Sequence, residues 1–328
     1  MRVLWVVKGL GPGGAETLLA AAARLHDPEL TIECAYVLPW KDHLAGALEA
    51  AGVRTVCVSR SRRDPLWPVR LARLVRGGQW DVVHVHSPLP AAVARLAVRS
   101  ISRAARPALV TTEHNAWSTF RMPTRLLNRW TVRWDDAAIA VSDEARESMS
   151  GRALARATTL AHGIDVASVR EARQQRDQIR TELGLTADEM VVGTVANFRE
   201  QKDYPNLLAA MRALADRGIV ARLVAVGQGP GEAEVRRLVA ELRLADRVVL
   251  TGFRADATAV MSAADVFVLA SRWEGLPVAL MEALALGLPV VATAVGGVAE
   301  AMDDDIDALL VAPRDPDALA DALQRVLT

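Results

Sequence analysis

The sequence predicts an α/β protein made of two doubly wound parallel-sheet lobes facing a central cleft. Three observations predict it. Short Val-, Ile- and Leu-rich runs alternate with longer helical patterns along the chain. Those runs are apolar nearly throughout, as strands covered on both faces must be. The 328 residues supply about ten to twelve such units, and ordinary sheet sizes divide that number into two sheets of five to seven strands.

The first half offers the strands "RVLWVV" (2–7), "TIECAYVL" (31–38), "VRTVCV" (53–58), "DVVHVH" (81–86) and "ALVTT" (108–112). The second half offers "MVVGTVA" (190–196), "ARLVAVG" (221–227), "RVVLTG" (247–252), "DVFVLAS" (265–271) and "LPVVAT" (288–293). The boundary falls after "TLAHGID", giving lobes 1–165 and 166–328. The charged stretch 166–189 reads as a solvated helix, because its charges are regularly spaced. In Rossmann-like sheets ligands bind beyond the strand C-terminal ends, so the useful residues should lie just after strands.

Composition narrows the class. No apolar run reaches the roughly 18 residues of a bilayer span, and "MRVLWVVKGL" lacks a signal cleavage site. Cys34 and Cys57 make neither a disulfide framework nor a zinc site. The expectation is a reduced, cytoplasmic protein. Formal net charge is zero, but residues 1–170 carry 23 Lys and Arg against 15 Asp and Glu, and residues 171–328 carry 16 against 24. Either the basic half meets something anionic or the two halves attract each other. Nothing resembles a nucleic-acid recognition module.

Four loops carry candidate chemistry. In "KGLGPGGAETLL", Gly11, Gly13 and Gly14 follow a strand and precede a helix. Such a loop brings amides to an anion at a helix N-terminus, or is a plain tight turn. Its order is not that of a dinucleotide fingerprint, and no ribose-binding acid ends the next strand. His114 in "VTTEHNAW" lies just past a strand, as a cleft or a structural histidine. His84 and His86 alternate on one strand without a third ligand, and the run Asp303–Asp305 reads as a solvated turn, so no metal site is expected. In "VVGTVANFREQKDYPNLLAAM", Arg199 and Lys202 sit before a helix starting near Tyr204, as a diphosphate seat or a solvated pair.

The fourth loop is "EGLPVALMEALALGLPVV". Pro277 suits the first helical position, which leaves Glu274 in the loop and Glu282 in the second turn. Eight helical residues span about 12 Å, too far for a proton-sharing pair or a retaining glycosidase pair. Carboxylates repel phosphate and accept from hydroxyls. A ligand with hydroxyls at both ends and a diphosphate between fits, and a nucleotide sugar has that layout. The amides after Gly275, with Arg199 and Lys202, would hold the diphosphate.

With these residues the chain resembles a retaining glycosyltransferase of the family 4 type, with the GT-B fold, from Arg2 to the C-terminus. The most specific part is "SRWEGLPVALMEALALGLPVVATAVGGVAE" (271–300), with its Glu-x7-Glu spacing. Supporting matches are "GPGGAETLL", "DVVHVHSPLP", "AIAVSDEA", "AHGID", "VANFREQK" and "SAADVFVLAS". The resemblance implies that Glu274 holds the transferred sugar and Glu282 the ribose. It implies that Lys202 and a nearby arginine neutralise the departing diphosphate. Gly13 and Gly14 would approach the phosphates, and His114 the sugar or the reacting centre. The base of a UDP- or GDP-sugar would rest near Phe253 and Arg254. Gly275, Leu276 and Pro277 would line the donor, and Gly296, Gly297 and Glu300 the pocket beyond. Transfer would go to a hydroxyl acceptor with retention, without metal or cofactor.

Two departures accompany the resemblance. The family arginine stands five or six residues before the lysine, where this chain has Asn197 and Ala196, so Arg199 is its expected substitute. The family pattern also continues past "DALADALQRVLT" through a further helix, so looser closure of the lobes is expected.

The acceptor side is read from two basic, Trp-bearing stretches. Residues 59–80 include Arg62, Arg63 and Trp67. Residues 120–134 place Arg121, Arg125, Arg129 and Arg133 four apart, with Trp130 and Trp134 between. Either these helices rest on an anionic membrane surface or their tryptophans are core. The first reading gives a peripheral enzyme on the inner membrane face, acting on a lipid-linked or envelope glycan. A sugar-nucleotide epimerase and a non-catalytic nucleotide-sugar-binding protein are the alternatives.

Overall fold

The computed structural model describes residues 1–328 apart from the side chain of Arg152. The chain divides into two compact units, Met1–His162 and Gly163–Thr328. The first holds seven parallel strands: β1 (Arg2–Val7), β2 (Thr31–Tyr36), β3 (Arg54–Cys57), β4 (Val82–Val85), β5 (Ala108–Glu113), β6 (Ala137–Ala140) and β7 (Ala157–Thr159). Their order is β3-β2-β1-β4-β5-β6-β7. The second holds six: β8 (Met190–Val195), β9 (Ala221–Val226), β10 (Val248–Gly252), β11 (Val266–Leu269), β12 (Val290–Thr293) and β13 (Leu309–Val311). Their order is β10-β9-β8-β11-β12-β13. Both are doubly wound Rossmann-like sheets, with the strand order reversing between β1 and β4 and between β8 and β11.

Burial on both faces explains the unbroken apolar runs. Leu4 and Val6 enter one core, while Val3, Trp5 and Val7 enter the core on the other face. Val191 and Val192 divide in the same way in the second unit. Three strands escape the sequence reading: β6 (AAIA) and β7 (ATT) are built from small residues, and β13 (LLV) has only three. No helix among the described residues is long and apolar enough to cross a membrane.

The Met122–Thr131 helix joins β5 to β6 and is inverted relative to an ordinary amphipathic helix. Its buried residues are Asn128 and Thr131. Both accept from the guanidinium of fully buried Arg95, at 2.6 and 3.2 Å. Arg95 also grips Asp135 through two bonds, of 2.7 and 2.6 Å. Removing one partner of so buried a pair costs about 3–5 kcal/mol. Met122, Leu126, Leu127 and Trp130 are left facing outward. The core reading of Trp130 is thereby corrected: polar contacts anchor this helix, so its apolar side is not used by the fold. The other basic stretch differs. Trp67 packs against the core and Trp80 is buried, so the expected outward role of Trp67 is corrected. Arg62 stacks over Trp40 at 5.2 Å, and Arg63 is exposed.

Candidate active site

The loops after β8 and β11 flank the point where the second sheet reverses order. The first runs Ala196–Asp203 and ends at the Tyr204–Asp216 helix. Tyr204 fixes it, packing edge-on against Phe198 at 4.8 Å and donating to the Ala196 carbonyl at 2.7 Å. Gly227 and Gly229 follow β9 so closely that a Cβ on either would strike the backbone carbonyl of Ala196 or Phe198. Asp203 closes the loop with a left-handed φ of 44° and receives the Arg272 guanidinium at 2.9 Å. Arg272 also bonds Glu200 at 3.1 Å, and its backbone N–H donates to the Gln201 carbonyl at 2.8 Å. Arg272 thus ties the two loops together.

Between them, Lys202 Nζ donates to Glu274 Oε1. Ser271 donates to the same oxygen at 2.6 Å, and Gln201 Nε2 to Oε2 at 3.1 Å. Lys202 and Glu274, two residues expected in the donor site, therefore form one buried ion pair. Arg199 lies at the extended start of the Glu200–Lys202 turn, exposed and without a side-chain partner among the described residues. At the two positions where the family arginine would stand are half-buried Asn197 and buried Ala196.

The turn Gly275–Leu276–Pro277 leads into the helix Val278–Ala285. The helix begins one residue later than expected, because Pro277 has an extended ψ of 126° and caps it. The amides of Gly275, Leu276, Val278 and Ala279 have no acceptor among the described residues, the usual condition of a helix start able to receive an anion. Glu282 accepts from Thr258 Oγ1 at 3.2 Å, and burial pushes its carboxyl up to about 6. Phe253 is part-exposed. Arg254 is committed to Glu182 and Asp256, which restrains its guanidinium. Gly296, with φ 49°, and Gly297 open a short helix containing Glu300.

In the first unit, Gly13 precedes the Gly14–Leu25 helix with an extended φ of −128°. Its conformation suits any residue, and a Cβ there would meet only the flexible end of the Glu16 side chain, which folds against it. Sequence reading missed Glu16, whose place three residues after the Gly13 cap was the available signal. A carboxylate already occupies ground expected for phosphate.

His114 follows β5, and its Nε2 lies 3.4 Å from His86 Nδ1. The rings of His84 and His86 are 4.0 Å apart, and His84 Nε2 bonds Thr112 Oγ1 at 2.8 Å. Burial holds His84 and His114 down to about 4 and His86 well below its ordinary value. Their rings are uncharged near neutrality and act as hydrogen-bonding groups. Beside them, burial raises Glu113 to about 7, with Arg95 opposing. No group of three or more metal-binding side chains occurs among the described residues.

Comparison with known proteins bears on this arrangement. Residues 12–168 match Glycosyltransferase Family 4, and residues 175–328 match the glycosyl transferases group 1. The putative glycosyltransferase EpsF of Bacillus subtilis is 31% identical over 304 residues, 88% of this chain and 78% of that protein. The chain belongs to the family 4/group 1 glycosyltransferases. Another relative in the family is the Escherichia coli UDP-Gal:alpha-D-GlcNAc-diphosphoundecaprenol alpha-1,3-galactosyltransferase, 26% identical over 91% of this chain and 80% of that one. The fold is shared with Anabaena HepE crystallised with UDP and glucose, with a TM-score of 0.86 and 22% identity over 99% of this chain and 89% of that one. This glycosyltransferase thus has two Rossmann-like lobes of the GT-B class.

Proposed function

We propose that the protein transfers a sugar with retention, without metal, from a UDP- or GDP-sugar to a hydroxyl of a lipid-linked or envelope glycan. The Lys202–Glu274 contact carries the reading. It sets a cation and a hydroxyl-accepting carboxylate side by side where a doubly wound sheet binds ligands. Glu274 takes sugar hydroxyls, and Glu282 with Thr258 takes the ribose. The Gly275–Leu276–Pro277 turn lines the diphosphate, to which Gly275, Leu276, Val278 and Ala279 bring free amides. The base rests by Phe253, with Arg254 at its edge. Gly13 and Gly14 are assigned to the phosphates and His114 to a sugar hydroxyl. Residues 1–165 serve the acceptor and 166–328 the donor.

The anomeric carbon–oxygen bond breaks, and its electron pair leaves with the diphosphate. The acceptor oxygen bonds to that carbon on the same face, and its proton passes to the leaving phosphate oxygen. Lys202 and Arg199 stabilise the charge that develops, as a divalent cation would. The UDP in the HepE structure and the diphospholipid in the galactosyltransferase's name support the donor and acceptor classes. The acceptor class also supports a peripheral place on the cytoplasmic membrane face.

Thermal-shift screening of nucleotide sugars, followed by acceptor-dependent nucleotide release, tests the reading. A matching donor should stabilise the protein and be consumed only with acceptor, and Glu274→Ala should abolish turnover. Binding without turnover would assign a non-catalytic protein, and an epimerised donor without acceptor an epimerase. NMR of the product's anomeric centre decides retention.

A further inference from the structure

We infer that the outward face of the Met122–Thr131 helix and the arginine-lined cavity at its C-terminal end form one docking surface for an anionic phospholipid bilayer. The cavity would seat a lipid phosphate. This deepens the membrane reading above and rests on it, but it needs no part of the transfer chemistry.

The helix has three sectors at about 100° per residue. Asn128 and Thr131 point to Arg95 and are buried. Met122, Leu126, Leu127 and Trp130 share the adjoining sector and are 57, 56, 42 and 53% exposed. Arg125 and Arg129 follow in the third. Neither these two nor Arg121 has an acidic partner among the described residues. An apolar band bordered by arginines, with a tryptophan in it, suits the boundary between acyl chains and headgroups.

The cavity supplies an independent observation. It measures about 330 Å³ and is lined by Arg99, Arg106, Arg133, Trp134 and Arg156, with Arg95 beneath. Arg133 bridges it to the helix face, stacking 5.0 Å from both the Trp130 and Trp134 rings. Arg106 spends one nitrogen on the Arg99 and Ile101 carbonyls, and its buried Nε has no partner. Arg156 bonds the Asp135 carbonyl at 2.6 Å. Asp136, the carboxylate at the wall, accepts from the Leu109 amide at 2.9 Å. So many guanidinium donors around one small space match a phosphate group.

The cavity lies at the strand N-terminal edge, since Arg106 precedes β5 and Trp134 precedes β6. His114 lies at the opposite edge. The helix runs between the two, so it can lie flat on a bilayer with its start on the side of His114. A second copy of the chain would oppose these arginines with the same charges, and nucleic acid would leave the apolar band unexplained.

Vesicle flotation tests this. The full chain is mixed with phosphatidylcholine vesicles, or with vesicles containing about a third phosphatidylglycerol, at low salt. The chain should float with the anionic vesicles alone. Leu126→Ser with Trp130→Ser should abolish flotation. Arg99→Ala with Arg133→Ala should weaken it by about fivefold per arginine. All four positions are at or near the surface, and matched melting curves check folding. Flotation of both double variants like the parent would overturn the inference. So would stabilisation by inorganic phosphate without vesicle binding, which marks a free-phosphate site. Concentration-dependent dimers that vanish in the Leu126/Trp130 variant would assign the face to a second copy and overturn it too. Glu274→Gln should float normally while losing turnover, so failure of one reading is distinguishable from failure of the other.

Discussion

Replacing Lys202 by Met should destabilise the protein more than replacing its partner Glu274 by Gln, and the two effects should not add. The Lys202 and Glu274 side chains are 17 and 6% exposed. Breaking such a pair from the cationic side strands a buried carboxylate, at about 3–5 kcal/mol. Ser271 and Gln201 still donate to that carboxylate, so the lower end, about 3 kcal/mol, is expected. In Glu274→Gln the lysine head can turn toward water, and the loss is about 1–2 kcal/mol. The double variant strands no charge and should lose only about 2–3 kcal/mol, giving a coupling of about 2 kcal/mol. Urea melts of the four proteins measure this. Turnover of Lys202→Met should fall by about 10²–10³ in kcat. Additivity within about 0.5 kcal/mol, or wild-type turnover in Lys202→Met, would refute the reasoning.

Three further outcomes are expected. Burial holds folded His84 and His114 down to about 4 and His86 well below its ordinary value, so the unfolded chain binds more protons from about 6.5 down to 4. Their contribution is full above about 6.5 and is lost as pH falls. Glu113, raised to about 7, works oppositely: its contribution is present below about 4.5 and lost as pH rises to 7. Glu113→Gln should therefore steepen the rise of stability with pH between about 4.5 and 6.5 in urea melts. Glu16→Ala should tighten donor binding by isothermal titration, because it removes a carboxylate from the Gly13 helix start; unchanged affinity would remove Glu16 from the site. Gly229→Ala should cost about 1–3 kcal/mol in thermal melts and weaken donor binding, since its Cβ would push the Phe198 carbonyl and the Lys202 loop.

The sequence showed the sheets wherever a strand was long and doubly covered. Trp5 and Val6 or Val191 and Val192 must be apolar on both sides, and that pattern is visible without coordinates. Short strands such as "AAIA" carry too few large residues for that. Glu274 and Glu282 were readable because a proline and an apolar helix pattern frame them. The Lys202–Glu274 pair was not, because 72 residues separate the two and loop geometry brings them together. The Met122–Thr131 helix shows the limit of periodicity. Spacing revealed a basic stripe with tryptophans beside it but not which way they face, which depends on Asn128 meeting Arg95 from 33 residues away.

That inverted helix has a consequence for variation. Its seat is set by directional bonds from one guanidinium, so the outer side chains carry almost none of the folding free energy. Met122, Leu126 and Leu127 can be exchanged without repacking anything beneath, whereas Trp130 also packs on Trp134 and Arg133. Affinity for a surface is then adjustable independently of the catalytic unit, as a separable trait. A set of variants at Met122, Leu126 and Leu127 should span a wide range of adsorption at nearly constant melting temperature.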